Sequence, residues 1–224
     1  MNDPDVVLTD LGLAILGAWL GWRLGTAPGR GSLAKAGAVL LGGLASAALW
    51  GAIFHAFFLD TATLPGFIAW IPVALSILVV AATLLDLSLR LLAPRLTPPI
   101  RRSIVAVYAA AFAAVVLLVD ESFPSIVRFY LPALLLFLVA AVQQAIRSGS
   151  AGWRLIAVGF TVSIGAAVLQ QARVSLHPVY FDHNAVYHVV QGVAVVLLYL
   201  GFRRLPQAPA GAYDSGTDQA PRPG

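Results

Sequence analysis

The sequence predicts an all-α, polytopic membrane protein: a seven-transmembrane helix bundle with its N-terminus outside and its C-terminus inside. Three observations lead to this prediction. Of the 224 residues, 59% are hydrophobic and only 11% are charged, about half the charged fraction of a soluble domain. Seven apolar stretches each approach or exceed the ~20 residues that a helix needs to cross the hydrocarbon core. The basic residues also gather on one side of these stretches.

The stretches are separated by segments with turn-forming residues, such as TAPGRGS, TATLPG and DESFP. The acidic start, MNDPDVVLTD, does not resemble a cleavable signal peptide, so the first stretch is expected to remain as an anchor. Residues 205–224 are rich in Pro, Gly and Ala and predict a disordered cytoplasmic tail after a transmembrane domain of residues 1–204. The predicted spans are Val6–Leu24, Leu33–Leu59, Leu64–Leu92, Ile100–Val119, Phe123–Ile146, Gly152–Gln171 and Ala185–Phe202.

The distribution of charge predicts the orientation. With the N-terminus outside, 12 of the 14 basic residues fall inside, and only Arg128 and Arg173 fall outside. This asymmetry follows the positive-inside rule. The net charge of +4 is therefore interpreted as a topology signal and a contact with lipid headgroups, not as a nucleic-acid-binding surface. We expect an integral, multi-pass protein of a bacterial inner (plasma) membrane, with membrane lipids as partners and an oligomeric state that the sequence leaves open.

All four histidines are predicted to lie on the outer side. His55 ends the second span, His177 and His183 fall in the last outer loop, and His188 lies one turn inside the seventh span. At 100° per residue, Asn184, His188 and Gln191 share one face of the last helix, whereas His183 lies 140° from His188. Asp182 or Asn184 is the expected N-cap of that helix. The predicted lining of an outer polar pocket therefore includes Asn184, Gln191, His177 and Asp182.

Polar side chains inside a span are costly and usually face the bundle interior with a partner. Three neutral imidazoles and a water form a catalytic zinc site, in which the metal activates the water. His55, His183 and His188 are the candidate ligands. Asp60 and Asp10 are the candidate general bases or ligand-orienting carboxylates. For Asp10, a simple helix N-terminal carboxylate is the alternative.

These features resemble a superfamily of seven-helix membrane hydrolases that includes the alkaline ceramidases and the progestin and adipoQ receptors. The similarity lies in seven spans, a histidine late in span two, and the segment HNAVYHVVQGVAVVLLY opening span seven. It implies a zinc-dependent hydrolase of lipid amides or esters at the outer membrane face, with His55 and His188 as ligands. The sequence departs from the family pattern at Asn184, Gly51 and Gly66, where the family carries histidine, serine and aspartate. LTDLGL and HNAVYHVVQ also resemble an uncharacterised bacterial membrane-protein family.

Other functions remain open. A non-enzymatic ligand-binding, sensor or assembly protein would have a pocket of hydrogen-bonded histidines. A proton-coupled transporter would need ionisable groups near the midplane, which the spans lack. A haem protein would use His55 and His188 as axial ligands. A retinal protein is disfavoured because the only lysine, Lys35, lies at the inner end of span two.

Two further features concern packing alone. The sequence predicts ion pairs of Asp86 with Arg90 and of Arg128 with Asp120 or Glu121. Small residues recur in GAVLLGGLASAALWGA and GFTVSIGAA, which predicts close backbone approach in spans two and six.

Overall fold

The computed structural model describes residues 3–177 and 180–205. This part of the chain folds into seven α-helices, each long and apolar enough to cross a membrane, which confirms the predicted all-α, seven-helix fold. The helices are α1 (Pro4–Thr26), α2 (Ser32–Phe57), α3 (Leu64–Leu92), α4 (Pro98–Leu118), α5 (Phe123–Ser148), α6 (Ala151–Gln171) and α7 (His183–Arg203). The predicted tail lies outside the described residues except for Leu205, which is buried against the core.

The helices alternate in direction, so the bundle has two chemically different ends. We call the end with the starts of α1, α3, α5 and α7 the polar end, because it carries all four histidines. The opposite end, which carries most of the arginines, is the arginine end. The assignment of the polar end to the outer membrane face stays a prediction.

Six helices form a closed ring in which each packs on the next, in the order α1, α2, α3, α5, α6 and α7, with α7 returning to α1. The fourth helix, α4, lies outside the ring against α3 and α5. Among its residues only Phe112 and Val116 are buried. Phe112 stacks on Phe129 of α5, with ring centroids 5.0 Å apart.

Small residues close the ring toward the arginine end. A Cβ added at Gly152 of α6 would lie 3.0 Å from the backbone oxygen of Gly201 on α7. Phe202 of α7 lies directly against Gly37 of α2, across the ring. The predicted close approach of spans two and six to their neighbours is therefore confirmed.

Aromatic side chains fill the same half of the ring. Phe137, Phe160 and Phe202 are completely or almost completely buried. The ring of Phe137 meets that of Phe160 edge-on at 5.4 Å and is parallel to that of Phe202 at 6.5 Å. This cluster brings together side chains from three helices, α5, α6 and α7.

Ion pairs hold α4 to the ring at the arginine end. Asp86 of α3 contacts Arg90 at 2.5 Å, as predicted, and also Arg101 of α4 at 2.8 Å. At the polar end, Arg128 lies 3.7 Å from Asp120, which is one of its two predicted partners.

The contact of Gly37 with Phe202 can be tested by adding one methyl group. In Gly37→Ala the new Cβ would lie 2.5 Å from the Phe202 ring, so the ring has to shift in a tightly packed region. Overpacking of this kind costs about 1–3 kcal/mol. We expect a lower melting temperature of the detergent-purified protein. Gly42→Ala is the control, since nothing lies within 4 Å of its Cβ position; equal behaviour of the two variants would contradict the proposed packing.

Candidate functional site

A cavity of about 350 Å³ lies inside the ring at the polar end. On α2 its lining runs from His55 to Leu44, eleven residues or about 16 Å along the helix. The cavity therefore reaches roughly halfway through a ~30 Å hydrocarbon core. Its lining residues are Asp10, Leu13, Leu44, Ala47, Ala48, Gly51, Phe54, His55, Trp70, Val73, Ile77, Val80, Phe123, Ile126, Val127, Tyr130, Gln170, Asn184, Tyr187, His188 and Gln191.

The polar centre of the cavity is a contact between the first and last helices. His188 Nε2 lies 3.2 Å from Asp10 Oδ1, and both residues are more than nine-tenths buried. The other ring nitrogen, Nδ1, lies 3.1 Å from the hydroxyl oxygen of Thr9. Both nitrogens of His188 are therefore engaged by consecutive residues of α1.

The hydrogen bonds of Thr9 favour a proton on Nδ1 of His188. The Thr9 hydroxyl lies 2.9 Å from the backbone oxygen of Asp5 and 3.0 Å from that of Val6, and donates to them. Its oxygen is then the acceptor for Nδ1–H of His188. At Nε2 one proton is shared with Asp10, either on the carboxyl group or on the imidazole. The Asp10–His188 pair carries no net charge in either arrangement.

A glycine on α2 makes room for the carboxyl group. A Cβ added at Gly51 would lie 3.1 Å from Asp10 Oδ2. Asp10 thus lies between Gly51 of α2 and His188 of α7. Gly51 is also the position at which the ceramidase-like pattern carries serine, so the departure from that pattern coincides with a packing requirement for Asp10.

A chain of hydrogen bonds runs along the mouth of the cavity. Gln170 donates to Asn184 Oδ1 at 2.9 Å, and Asn184 Nδ2 donates to Asp182 at 3.2 Å. Asp182 also accepts from the backbone nitrogens of Asn184 and Ala185, which confirms it as the N-cap of α7. Its own backbone nitrogen donates to Asp5 of α1 at 2.9 Å.

His55 lines the mouth from α2. Its Nδ1 lies 3.5 Å from Asp3 Oδ2. This contact does not meet hydrogen-bond geometry, so the buried Nδ1 has no hydrogen bond among the described residues. Asp3 has a left-handed backbone with φ 40°, as do Leu59 (58°) and Arg173 (53°), which follow α2 and α6 at the same end. Strained backbone of this kind tends to occur around functional sites.

The loop between α4 and α5 meets the opposite wall of the cavity. Trp70 Nε1 donates to the backbone oxygen of Glu121 at 2.7 Å, and Phe123 lines the cavity beside it. Hydrogen bonds from Ser122 and Ser125 lower the pKa of Asp120 to about 2. The loop is therefore anchored by a carboxylate that stays ionised at neutral pH.

Four of the predicted site residues, His183, His177, Asp60 and Asp182, lie outside the cavity lining. His183 begins α7 and has its Nδ1 3.6 Å from Asp182. His177 accepts a hydrogen bond from the backbone of Tyr180 in the exposed α6–α7 loop. Asp60 accepts from Ala62 in the exposed α2–α3 loop. Asp182 is next to the cavity as a cap, whereas Asp10, His55, His188, Asn184 and Gln191 all line it.

Of the three predicted zinc ligands, His55 and His188 line the cavity and His183 does not. Within residues 3–177 and 180–205, no three His, Asp or Glu side chains are grouped to hold a metal ion. His188 uses both ring nitrogens on α1, and His183 is on another face of α7. For zinc to bind here, His188 would have to give up one of its hydrogen bonds. A third ligand would also have to join His55 and His188. Zinc therefore stays a prediction from the sequence.

Sequence reasoning missed Thr9, Tyr130 and Tyr187. Tyr187 is four residues before Gln191 and three after Asn184, so the helical spacing that grouped those residues also points to it. Thr9 and Tyr130 carry no such signal, because their roles depend on which helices are neighbours.

These features define a multi-pass, seven-helix membrane protein with a polar pair inside a one-ended cavity. The chain belongs to the family of unknown function DUF6962, whose model matches residues 6–207. No curated protein and no solved structure matches the chain.

The Asp10–His188 contact can be tested by a double-mutant cycle. Asp10→Ala and His188→Ala each leave one buried polar group without its partner, so each is expected to lower the free energy of unfolding by about 1–3 kcal/mol. The double variant should lose less than the sum, because neither partner is left behind. Unfolding in mixed detergent micelles measures all three values.

Glu121→Ala is the control for this cycle, because no contact of its side chain is described, and a change within about 0.5 kcal/mol is expected. Strictly additive losses in the double variant would mean that the two side chains do not interact.

Proposed function

We propose that this protein is a ligand-binding membrane protein that takes up a small, largely apolar molecule in the cavity at its polar end. The proposal rests on the cavity itself. The cavity of about 350 Å³ is lined mostly by apolar side chains, with a few polar groups among them, as is usual for small-molecule sites. Elsewhere the helices pack closely around glycine and alanine. A space of this size between them is therefore best explained by a bound molecule.

The shape of the cavity supports binding over transport. The cavity ends near Leu44 and Val80, and the aromatic cluster of Phe137, Phe160 and Phe202 fills the ring beyond it. Molecules can therefore enter from one end only in this conformation. A bacterial plasma membrane as the location and membrane lipids as partners belong to this proposal.

The proposal is tested by filling the cavity. Ala48 lines the cavity and is otherwise buried, so Ala48→Trp should occupy the space. Val139→Trp adds the same side chain on an exposed part of α5 and serves as the control. We expect solvent extracts of wild type and Val139→Trp to contain about one small molecule per chain by mass spectrometry, and extracts of Ala48→Trp to lack it.

The melting temperature of Ala48→Trp should equal or exceed that of wild type, because the indole fills empty volume. A folded Ala48→Trp protein that retains the same molecules as the wild type would contradict the proposal.

A metal-dependent lipid hydrolase is the second candidate. One observation favours it: Asp10, His55 and His188 line the same cavity. In that case purified protein should hold about one zinc per chain, and His55→Ala and His188→Ala should both lose it, whereas His177→Ala should not. Metal analysis by mass spectrometry decides the matter, and folded wild-type protein without zinc would rule against this candidate.

A further inference from the structure

We infer that the ligand is a small, uncharged ring compound with a hydroxyl or carbonyl group. This inference rests on the ligand-binding function proposed above and concerns the same cavity. Four properties of the lining carry it: its charge, its aromatic side chains, its unpartnered polar groups and its volume.

The charge of the lining disfavours ions. No lysine or arginine is among the lining residues, and the ionisable ones are Asp10, His55 and His188. The Asp10–His188 pair has no net charge, and Asp10 already has a partner. An anion would find no cation, and a cation would have to compete with His188 for Asp10. Burying an ion without a counter-charge in an apolar site is costly.

Aromatic side chains favour a ring. Phe54, Trp70 and Phe123 form a row across α2, α3 and α5, with successive ring centroids 5.1 and 6.5 Å apart. Tyr130 continues the lining on α5, and Tyr187 extends it on α7. Aromatic pairs interact by offset stacking or edge-to-face contact. A flat ligand can make these contacts with several walls at once, and a flexible chain cannot.

Lining groups without hydrogen-bond partners indicate that the ligand carries a hydroxyl or carbonyl oxygen. Gln191 is 4% exposed and lines the cavity, yet its side-chain amide has no hydrogen bond among the described residues. Tyr130 and Tyr187 also line the cavity, and their hydroxyls make no hydrogen bond among the described residues. Amide and phenol groups can each donate and accept. A buried polar group left unpaired is destabilising, so a ligand hydroxyl or carbonyl group would satisfy Gln191 and a tyrosine together.

The volume limits the size. At ~30 Å³ for each water-sized group, 350 Å³ holds about a dozen such groups. Two fused rings with one or two oxygens are of a size that this space accommodates, at the lower end of the range for small-molecule sites.

The test is the binding of radiolabelled 2-naphthol to protein in lipid nanodiscs, with empty nanodiscs to subtract partitioning. Competitors share the size but differ in one property: 1,4-naphthoquinone, naphthalene, 2-naphthoate, 1-naphthylmethylammonium and decan-1-ol. The quinone meets no thiol, because the chain has no cysteine. We expect 2-naphthol and the quinone to compete at least about tenfold better than the other four, which matches one buried hydrogen bond to ligand.

Variants locate the hydrogen bond. Gln191→Leu keeps the size of the side chain and removes its polar group, so 2-naphthol should bind about tenfold more weakly while naphthalene is unaffected. Gln144→Leu makes the same change on α5 outside the cavity lining and should change neither. Ala48→Trp should abolish all specific binding.

The outcomes separate this inference from the function on which it rests. If an ionic analogue or decan-1-ol binds more tightly than 2-naphthol, and Ala48→Trp abolishes that binding, the ring-compound inference is wrong and the ligand-binding function holds. If Gln191→Leu binds 2-naphthol as the wild type does, the assigned hydrogen bond is wrong. If no compound binds better to wild type than to Ala48→Trp, both the inference and the proposed function fail.

Discussion

The contact of Asp10 with His188 is the constraint around which the polar half of the bundle is organised. A carboxyl group and an imidazole inside a membrane span need partners, because hydrocarbon offers none. Here each is the partner of the other, and the Thr9 hydroxyl is the partner of the second imidazole nitrogen. The contact joins the first helix to the last and thereby closes the ring. Gly51 of α2 gives the carboxyl group room, because a Cβ there would lie 3.1 Å from Asp10 Oδ2.

The two halves of the ring follow different packing rules. Toward the arginine end, glycines admit a neighbouring backbone or a phenylalanine ring, and the space is filled. Toward the polar end, side chains of α1 and α7 are committed to one another, and the facing walls of α3 and α5 are aromatic and aliphatic. The polar pair and the apolar walls do not interdigitate, so a cavity remains between them. Because the polar side chains pair with each other, they do not fill the space toward the apolar walls, and a pocket open at one end remains.

Much of the fold could be predicted from the sequence because its signals are local. The length of the apolar stretches predicted the seven helices, and a spacing of four residues predicted the Asp86–Arg90 ion pair. The face shared by Asn184, His188 and Gln191 does line the cavity, and His183, 140° away, does not. What the sequence could not supply was the order of helices around the ring. Asp10 and His188 are 178 positions apart, and nothing local shows that α1 lies beside α7 or that α4 lies outside. The ion pair of Arg101 with Asp86 was not predicted for the same reason, because it depends on where α4 lies.

The positions at which the chain departs from the ceramidase-like pattern acquire a physical meaning in this structure. Gly51 gives space to the Asp10 carboxyl group, and Gly66 lets the α2–α3 loop pass, since a Cβ there would overlap the backbone of Asp60. Asn184 is held between Gln170 and Asp182. A hydrolytic metal needs imidazole nitrogens that are free to bind it, whereas both ring nitrogens of His188 contact α1. The polar groups of the lining that make no hydrogen bond among the described residues are the Gln191 amide, the two tyrosine hydroxyls and His55 Nδ1. The chemistry of the cavity therefore supports the proposed ligand-binding function.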